Sequence, residues 1–168
     1  EFGADEVILA TGSLPDGLAK QRWLPEAAAL PGLDNGKVFS CEEVFRDQAE
    51  LGNSVIVLDE GGNWRGTGTA WYLAEQGHQV TIVTPDPMIG KELTRTTADF
   101  QIRASLAKLG AVFKLESVIQ HWHGDHAELR SLLDGSVSEI AASAIVTATT
   151  NTADNSIELA LSKAGTRF

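Results

Sequence analysis

A strand–turn–helix–strand pattern limits the folds open to this chain more than any other sequence feature. Residues 54–58 form an apolar run, and residues 79–84 form a second strand-like run that is stopped by proline. Between them lie a glycine-bearing turn at residues 59–65 and an amphipathic helical segment at residues 66–76. Strands joined through a helix run parallel, and a continuous apolar strand is covered on both faces. The pattern therefore predicts a right-handed parallel βαβ unit.

The rest of the chain continues the same architecture. The other predicted strands lie at residues 7–10, 38–39, 112–115, 118–122, 127–133, 137–141 and 144–148, and the other predicted helices at residues 41–48, 97–109 and 156–161. Ser40 is the expected cap of the first of these helices, with Glu43 at the capping-box position. We predict a three-layer, Rossmann-like α/β fold with a parallel sheet of about four strands, flanking helices and a small antiparallel meander.

Charge and cysteine content exclude several classes of function. The formal net charge is -10 and the pI is about 4.7, which argues against nucleic-acid binding because phosphate recognition needs a basic face. We expect no membrane partner, since no apolar run has the length of a membrane span. The single cysteine, Cys41, leaves no CxxC redox pair and no cysteine-ligated iron–sulfur cluster within this stretch. A reducing, cytoplasmic location is the default expectation.

The start of the chain suggests that residues are missing before it. An apolar strand at residues 7–10 follows the first residue almost at once and has no earlier partner in the sequence. We therefore expect the chain to be truncated at its N-terminus.

Two short segments carry a resemblance to a known superfamily. The segment DEVILATGSLP at residues 5–15, followed by LPG at residues 30–32, resembles flavoprotein reductases that contain two dinucleotide-binding domains. The resemblance implies that the predicted α/β fold is of the FAD/NAD(P)-binding type and that the chain has three regions. Residues 1–51 would be a remnant of the FAD/ADP-type domain and a proline-rich connector, residues 52–149 an NAD(P)-binding-like domain, and residues 150–168 a segment returning to the FAD/ADP-type domain.

A narrower resemblance comes from residues 55–66, VIVLDEGGNWRG, and residues 73–84, LAEQGHQVTIVT. They are similar to the trimethylamine dehydrogenase, histamine dehydrogenase and 2,4-dienoyl-CoA reductase family of NADH:flavin oxidoreductases. This implies a full-length amine dehydrogenase or demethylase, or an enoate reductase, with an N-terminal flavin barrel as partner. The cofactors that it implies are FMN, a 4Fe-4S cluster, and FAD or ADP. It also implies a homo-oligomer, and no turnover by these residues alone.

The turn after the first strand of the βαβ unit departs from a working G-x-G-x-x-G fingerprint. Gly61, Gly62 and Gly66 are the candidate nucleotide-binding glycines, but Asp59 stands near the place of the first glycine and the turn is about two residues too long. Carboxylates at Asp59 and Glu60 would repel pyrophosphate and satisfy the helix dipole themselves. A retained fold that has lost its ligand is therefore favoured over NAD(P) binding.

Two further positions bear on nucleotide binding. The acidic ribose ligand expected after the second strand is missing, since Thr84 stands there and Asp86 follows two residues later. By family resemblance, Thr11 and Gly12 would lie near the ADP half of FAD or ADP. Gly12 would otherwise simply end a strand.

A histidine cluster provides the main rival hypothesis. His121, His123, Asp125 and His126 match the H-x-H-x-D-H signature of metallo-β-lactamase-fold hydrolases, which predicts a metal-dependent hydrolase. That fold needs histidines further along, and His126 is the last in the chain. An exposed strand edge, with Trp122 on the opposite face, is the favoured interpretation. A structural domain that binds no nucleotide is the other alternative, and no catalytic residue is assigned.

Overall fold

The computed structural model describes residues 7–165, which form two compact units. Unit 2 is Gly17–Thr150, and unit 1 contains the described residues of the two flanking segments. The strands are β1 (Ser13–Leu14), β2 (Val38–Ser40), β3 (Ser54–Asp59), β4 (Gln79–Val83), β5 (Val112–Lys114), β6 (Ser117–Trp122), β7 (His126–Ser131), β8 (Val137–Ala141), β9 (Ala144–Ala148) and β10 (Thr152–Ala153). The α-helices are α1 (Cys41–Phe45), α2 (Trp64–Glu75), α3 (Ala98–Lys108) and α4 (Ser156–Lys163), and Leu33–Asn35 and Lys91–Thr96 form 3-10 turns.

Unit 2 is built on a five-stranded parallel sheet with strand order β2-β9-β3-β4-β5. The βαβ unit predicted from the sequence is confirmed, because β3 and β4 pair in parallel on either side of α2 in the chain. β9 pairs in parallel with both β3 and β2, so the sheet has one strand more than the sequence analysis predicted. β3 therefore lies at the centre of the sheet.

Each face of this sheet is covered by a different layer, which confirms the predicted three-layer α/β class. Val55 and Val57 pack in a cluster with Ala70 and Leu73 of α2. Ile56 belongs to a second cluster that contains side chains of the antiparallel sheet. Since successive side chains of a strand point to opposite faces, the apolar run of β3 is buried on both sides.

The antiparallel sheet has the order β6-β7-β8 and is held by a segment that precedes α1. Trp122 is fully buried, and its indole N–H donates to the carbonyl of Gly36 at 2.8 Å. Gly32 has a φ of 84°, and a Cβ there would collide with the carbonyl oxygen of Trp122. The close approach of these two backbones requires glycine at position 32.

The helices follow the predicted positions with small differences at their ends. The capping box of α1 is present: the Glu43 N–H donates to the Ser40 side chain, and the Ser40 N–H donates to the Glu43 carboxylate at 2.7 Å. α1 ends at Phe45 and is therefore three residues shorter than the helix predicted at residues 41–48. No helix within residues 7–165 is long and apolar enough to cross a membrane.

The strand predicted at residues 7–10 is wrong. Those residues form no strand, and Val7 and Ile8 are 73% and 92% exposed. A strand needs a neighbour to receive its backbone hydrogen bonds, and none of the described strands pairs with this segment. Pairing in unit 1 begins later, where β1 runs antiparallel to β10.

Candidate functional site

The candidate site of unit 2 lies where β3, β4 and β9 end. Parallel sheets bind ligands outside the carboxyl ends of their strands, at the point where the strand order reverses. The chain leaves β3 on one side towards β4, and β9 lies on the other side. Asp59 is the last residue of β3, and Asn63 caps α2 by accepting a hydrogen bond from the N–H of Arg65 at 2.9 Å. The turn between them corresponds to the predicted nucleotide-binding loop.

Asp59 occupies the interior of this turn with its own carboxylate. Its Oδ1 accepts the N–H of Gly61 at 3.1 Å and the N–H of Gly62 at 2.9 Å. The residue is fully buried, and its Oδ2 has no hydrogen-bond partner among the described residues. Burial is the main cause that raises the pKa of Asp59 to about 6, against the opposing effect of the two glycine N–H groups.

Gly66 permits a close approach, as the fingerprint predicts, although the group that approaches it is a side chain. A Cβ at position 66 would collide with the carboxylate of Asp59. Gly66 lies in the first turn of α2, so the Asp59 side chain is in contact with the N-terminal end of this helix. The predicted glycines Gly61, Gly62 and Gly66 therefore surround one carboxylate.

Two more buried carboxylates flank the turn and are bound by basic side chains. Glu60 accepts the Arg22 backbone N–H at 3.1 Å and the Arg22 Nε–H at 2.9 Å. Asp86 accepts from Arg22 Nη2 at 3.0 Å and from Lys91 Nζ at 3.1 Å. Oε1 of Glu60 has no partner within the described part of the chain. Around the turn there are thus three buried acidic side chains, including Asp59, and two basic side chains that bind the other two.

The segment after β4 closes over the turn. The N–H of Glu92 donates to the carbonyl of Gly62 at 2.9 Å. Gly62 has a φ of 59°, and a Cβ there would lie 3.3 Å from the Cβ of Lys91. The sequence analysis missed both Arg22 and Lys91. Arg22 lies 38 residues before Glu60 and 64 residues before Asp86, whereas Lys91 lies only five residues after Asp86. Neither basic residue forms part of a motif.

Thr11 and Gly12 lie in unit 1, where both contact the returning segment. The Thr11 hydroxyl donates to the carbonyl of Asp154 at 2.5 Å, and the carbonyl of Gly12 accepts the N–H of Asp154 at 3.0 Å. Gly12 has a φ of 79°, with open space where a Cβ would lie. Their role as nucleotide contacts remains a prediction.

The histidine cluster forms a stack of three rings, and two of the three imidazoles contact separate carboxylates. The rings of His123 and His126 are parallel with centroids 4.3 Å apart, and those of His121 and His123 are 4.5 Å apart. His123 Nε2 lies 3.1 Å from Glu128, and His126 Nδ1 lies 2.6 Å from Asp125. Within residues 7–165, no group of three or more His, Cys, Asp or Glu side chains is placed to hold a metal ion. The cluster therefore lends no support to the hydrolase hypothesis.

Comparison with known proteins assigns nearly the whole chain to one family pattern. The family described as "Pyridine nucleotide-disulphide oxidoreductase" matches residues 1–166. Cinnamate reductase from Clostridium sporogenes is 43% identical over 83 residues, which are 49% of this chain and 10% of that protein.

Two solved structures share the fold over most of the chain. The 6-hydroxypseudooxynicotine amine oxidase from Pseudomonas geniculata N1 has a TM-score of 0.88 and 28% identity, covering 97% of this chain and 24% of that one. Histamine dehydrogenase from Rhizobium sp. 4-9 has a TM-score of 0.84 and 19% identity, covering 93% of this chain and 24% of that one. The chain thus spans a quarter or less of each of these three proteins.

Proposed function

Because this chain belongs to the pyridine nucleotide-disulphide oxidoreductase family, we propose that it is the dinucleotide-binding-type module of a flavin-dependent oxidoreductase. The observation that carries the proposal is the 28% identity to an amine oxidase over 97% of the chain, at a TM-score of 0.88. A likeness of that extent indicates common descent as well as a shared fold.

The reaction class has two candidates, each supported by one relative. The amine oxidase supports oxidation of an amine, and cinnamate reductase supports reduction of an activated carbon–carbon double bond. A flavin would supply the two-electron chemistry that both reactions need. We expect FMN in a barrel and a 4Fe-4S cluster, both outside these residues, in a cytoplasmic and homo-oligomeric enzyme.

Within this chain, the proposed task is to support the rest of the enzyme. Unit 2 supplies a rigid α/β scaffold whose central strand is buried on both faces. In unit 1, Thr11 and Gly12 are the residues proposed to contact the ADP part of FAD or free ADP. The Thr11 hydroxyl already orders the segment at Asp154, so it would hold the backbone in place around such a nucleotide.

Absorbance spectroscopy of the intact protein that carries this chain tests the proposal. We expect a flavin spectrum that bleaches when an amine is added without oxygen, or a reduced spectrum that reoxidises when an enoate is added. A protein that holds no flavin after reconstitution with FMN and FAD would contradict the proposal.

The role of Thr11 is tested by Thr11→Val, with Thr152→Val in the same unit as the matched control. Thr11→Val removes the hydroxyl and keeps the shape of the side chain. We expect it to lower the ADP or FAD content of the purified protein, whereas Thr152→Val leaves that content unchanged. Equal nucleotide content in the two variants would remove Thr11 from the proposed site.

A further inference from the structure

We infer that the dinucleotide site of unit 2 is filled by the chain's own carboxylates, so that this unit keeps a nucleotide-binding fold and binds no NAD(P). The inference goes beyond the proposed function, which requires no nucleotide in unit 2. Three features of the turn after β3 lead to it: its N–H groups already have an acceptor, the space beside the helix is occupied, and the buried charge is mainly negative.

The N–H groups that would hold a pyrophosphate already have an acceptor. In a working fingerprint, backbone N–H groups at the start of the helix bind the pyrophosphate. Here the N–H groups of Gly61 and Gly62 both donate to Oδ1 of Asp59, at 3.1 and 2.9 Å. Asp59 thus takes the place of the phosphate oxygens as the anion at this helix N-terminus.

The space beside the helix is also taken. The absence of a side chain at Gly66 makes room for the carboxylate of Asp59, which a Cβ would hit. On the outer side, Lys91 lies against Gly62, and the N–H of Glu92 donates to the Gly62 carbonyl. A dinucleotide could reach the turn only if both the Asp59 side chain and the segment after β4 moved away.

The charge of the site opposes an added anion. Asp59, Glu60 and Asp86 are all buried, and Arg22 and Lys91 are the basic side chains that bind the last two. Acidic groups therefore outnumber basic ones, and a pyrophosphate would bring further negative charge into a buried region. In the described part of the chain, no acidic or histidine group is arranged to hold a cation that would offset this charge.

Hydrogen–deuterium exchange of the intact protein, read from a peptide covering residues 59–66, tests the inference. With the wild type, we expect exchange in this peptide to be the same with and without millimolar NADH or NADPH. Asp59→Gly removes the acceptor, so the peptide should exchange about tenfold faster. Added inorganic pyrophosphate should then slow that exchange by replacing the missing anion.

Asp47→Gly is the matched control, because it removes a carboxylate from an exposed position and introduces the same residue. It should leave exchange in residues 59–66 unchanged. Saturable protection of this peptide by NADH or NADPH in the wild type would overturn the inference, and this measurement needs no variant to fold. Unchanged exchange in a folded Asp59→Gly protein would also overturn it. Neither result bears on whether the intact protein holds flavin, so the two proposals fail separately.

Discussion

At the scale of single residues, Asp59 is part of the central strand and also supplies the anion that a bound nucleotide would supply in a nucleotide-binding protein. It ends the central strand, accepts two N–H groups of the turn and fills the space left by Gly66. Its other oxygen has no partner among the described residues, so the ionised form is poorly stabilised there. The charge of Asp59 should therefore lower the stability of the folded chain at neutral pH.

Asp59→Asn is expected to stabilise the protein at pH 8 and to lose this advantage on acidification. The pKa of Asp59 is raised from 3.8 to about 6 in the folded chain. The stability that the neutral carboxyl group contributes is therefore fully present below pH 3.8 and is lost as pH rises through 6. Asparagine keeps an oxygen acceptor and carries no charge. The gain at pH 8 should be about 1 to 3 kcal/mol in the free energy of unfolding.

Urea denaturation of both proteins at pH 5 and pH 8 measures this difference, because titrating groups that do not interact with Asp59 contribute equally to both proteins. Asp47→Asn at the exposed position serves as the control and should shift the midpoint far less at either pH. A loss of stability at pH 8 in Asp59→Asn would show that the ionised carboxylate supports the turn.

At the scale of elements, the contact between Gly32 and the end of β6 joins the segment that precedes α1 to the antiparallel sheet. The N–H of Trp122 donates to the carbonyl of Pro31 at 2.8 Å, and Asn35 Nδ2 donates to the carbonyl of Trp122 at 2.7 Å. Residues 31–35 thus extend the hydrogen bonding of the antiparallel sheet beyond its edge strand β6. A side chain at position 32 would force these backbones apart.

Gly32→Ala should destabilise the protein by about 2 to 4 kcal/mol, from backbone strain together with a steric clash. Gly110→Ala is the matched control. Gly110 has a φ of 80°, close to the 84° of Gly32, with open space where a Cβ would lie. Its cost should be about 1 kcal/mol from the left-handed backbone alone. Equal midpoints for the two variants in urea denaturation would contradict the proposed clash.

Most elements were predictable from the sequence because local patterns determine them. The apolar run of β3, the small residues of α2 and the capping box at Ser40 each specify one element within a few residues. β9 was predicted as a strand, and its hydrogen bonds to β2 and β3 confirm that it completes the parallel sheet. The strand at residues 7–10 was wrong because strand formation depends on a pairing partner, which composition does not reveal.

The candidate site was predictable only in part. The position of Asp59 after the central strand indicated that the glycine fingerprint was altered. The sequence did not reveal that its carboxylate would turn inward onto Gly61, Gly62 and Gly66, since that depends on the path of the turn. The ion pairs of Arg22 join it to residues 38 and 64 positions away, and no local pattern encodes such contacts. Lys91 lies five residues after Asp86, but the two are joined by an irregular segment whose path the sequence does not specify.

At the scale of the whole molecule, the two units differ in how much of their structure is buried. β3 has five fully buried residues in succession, whereas every residue of α4 is at least partly exposed. Amides in well-packed elements exchange only through large openings, while poorly packed helices fray. The amides of α4 should therefore exchange about 100-fold faster than those of β3.

Exchange mass spectrometry of the 168-residue chain measures this directly, with α3 as the control. α3 is also a helix, but it buries Ile102 and Leu106, so it should exchange much more slowly than α4. Equal protection of α3 and α4 would mean that burial in this structure does not govern local stability.

The carboxylate inside the turn has a consequence for how this protein responds to its surroundings. A protein that folds around a free metabolite becomes more stable as that metabolite accumulates and less stable as it is consumed. Asp59 is covalently part of the chain, so its effective concentration at the turn never changes. If Asp59 fills the site, the melting temperature of unit 2 does not change with the cellular concentration of pyridine nucleotides.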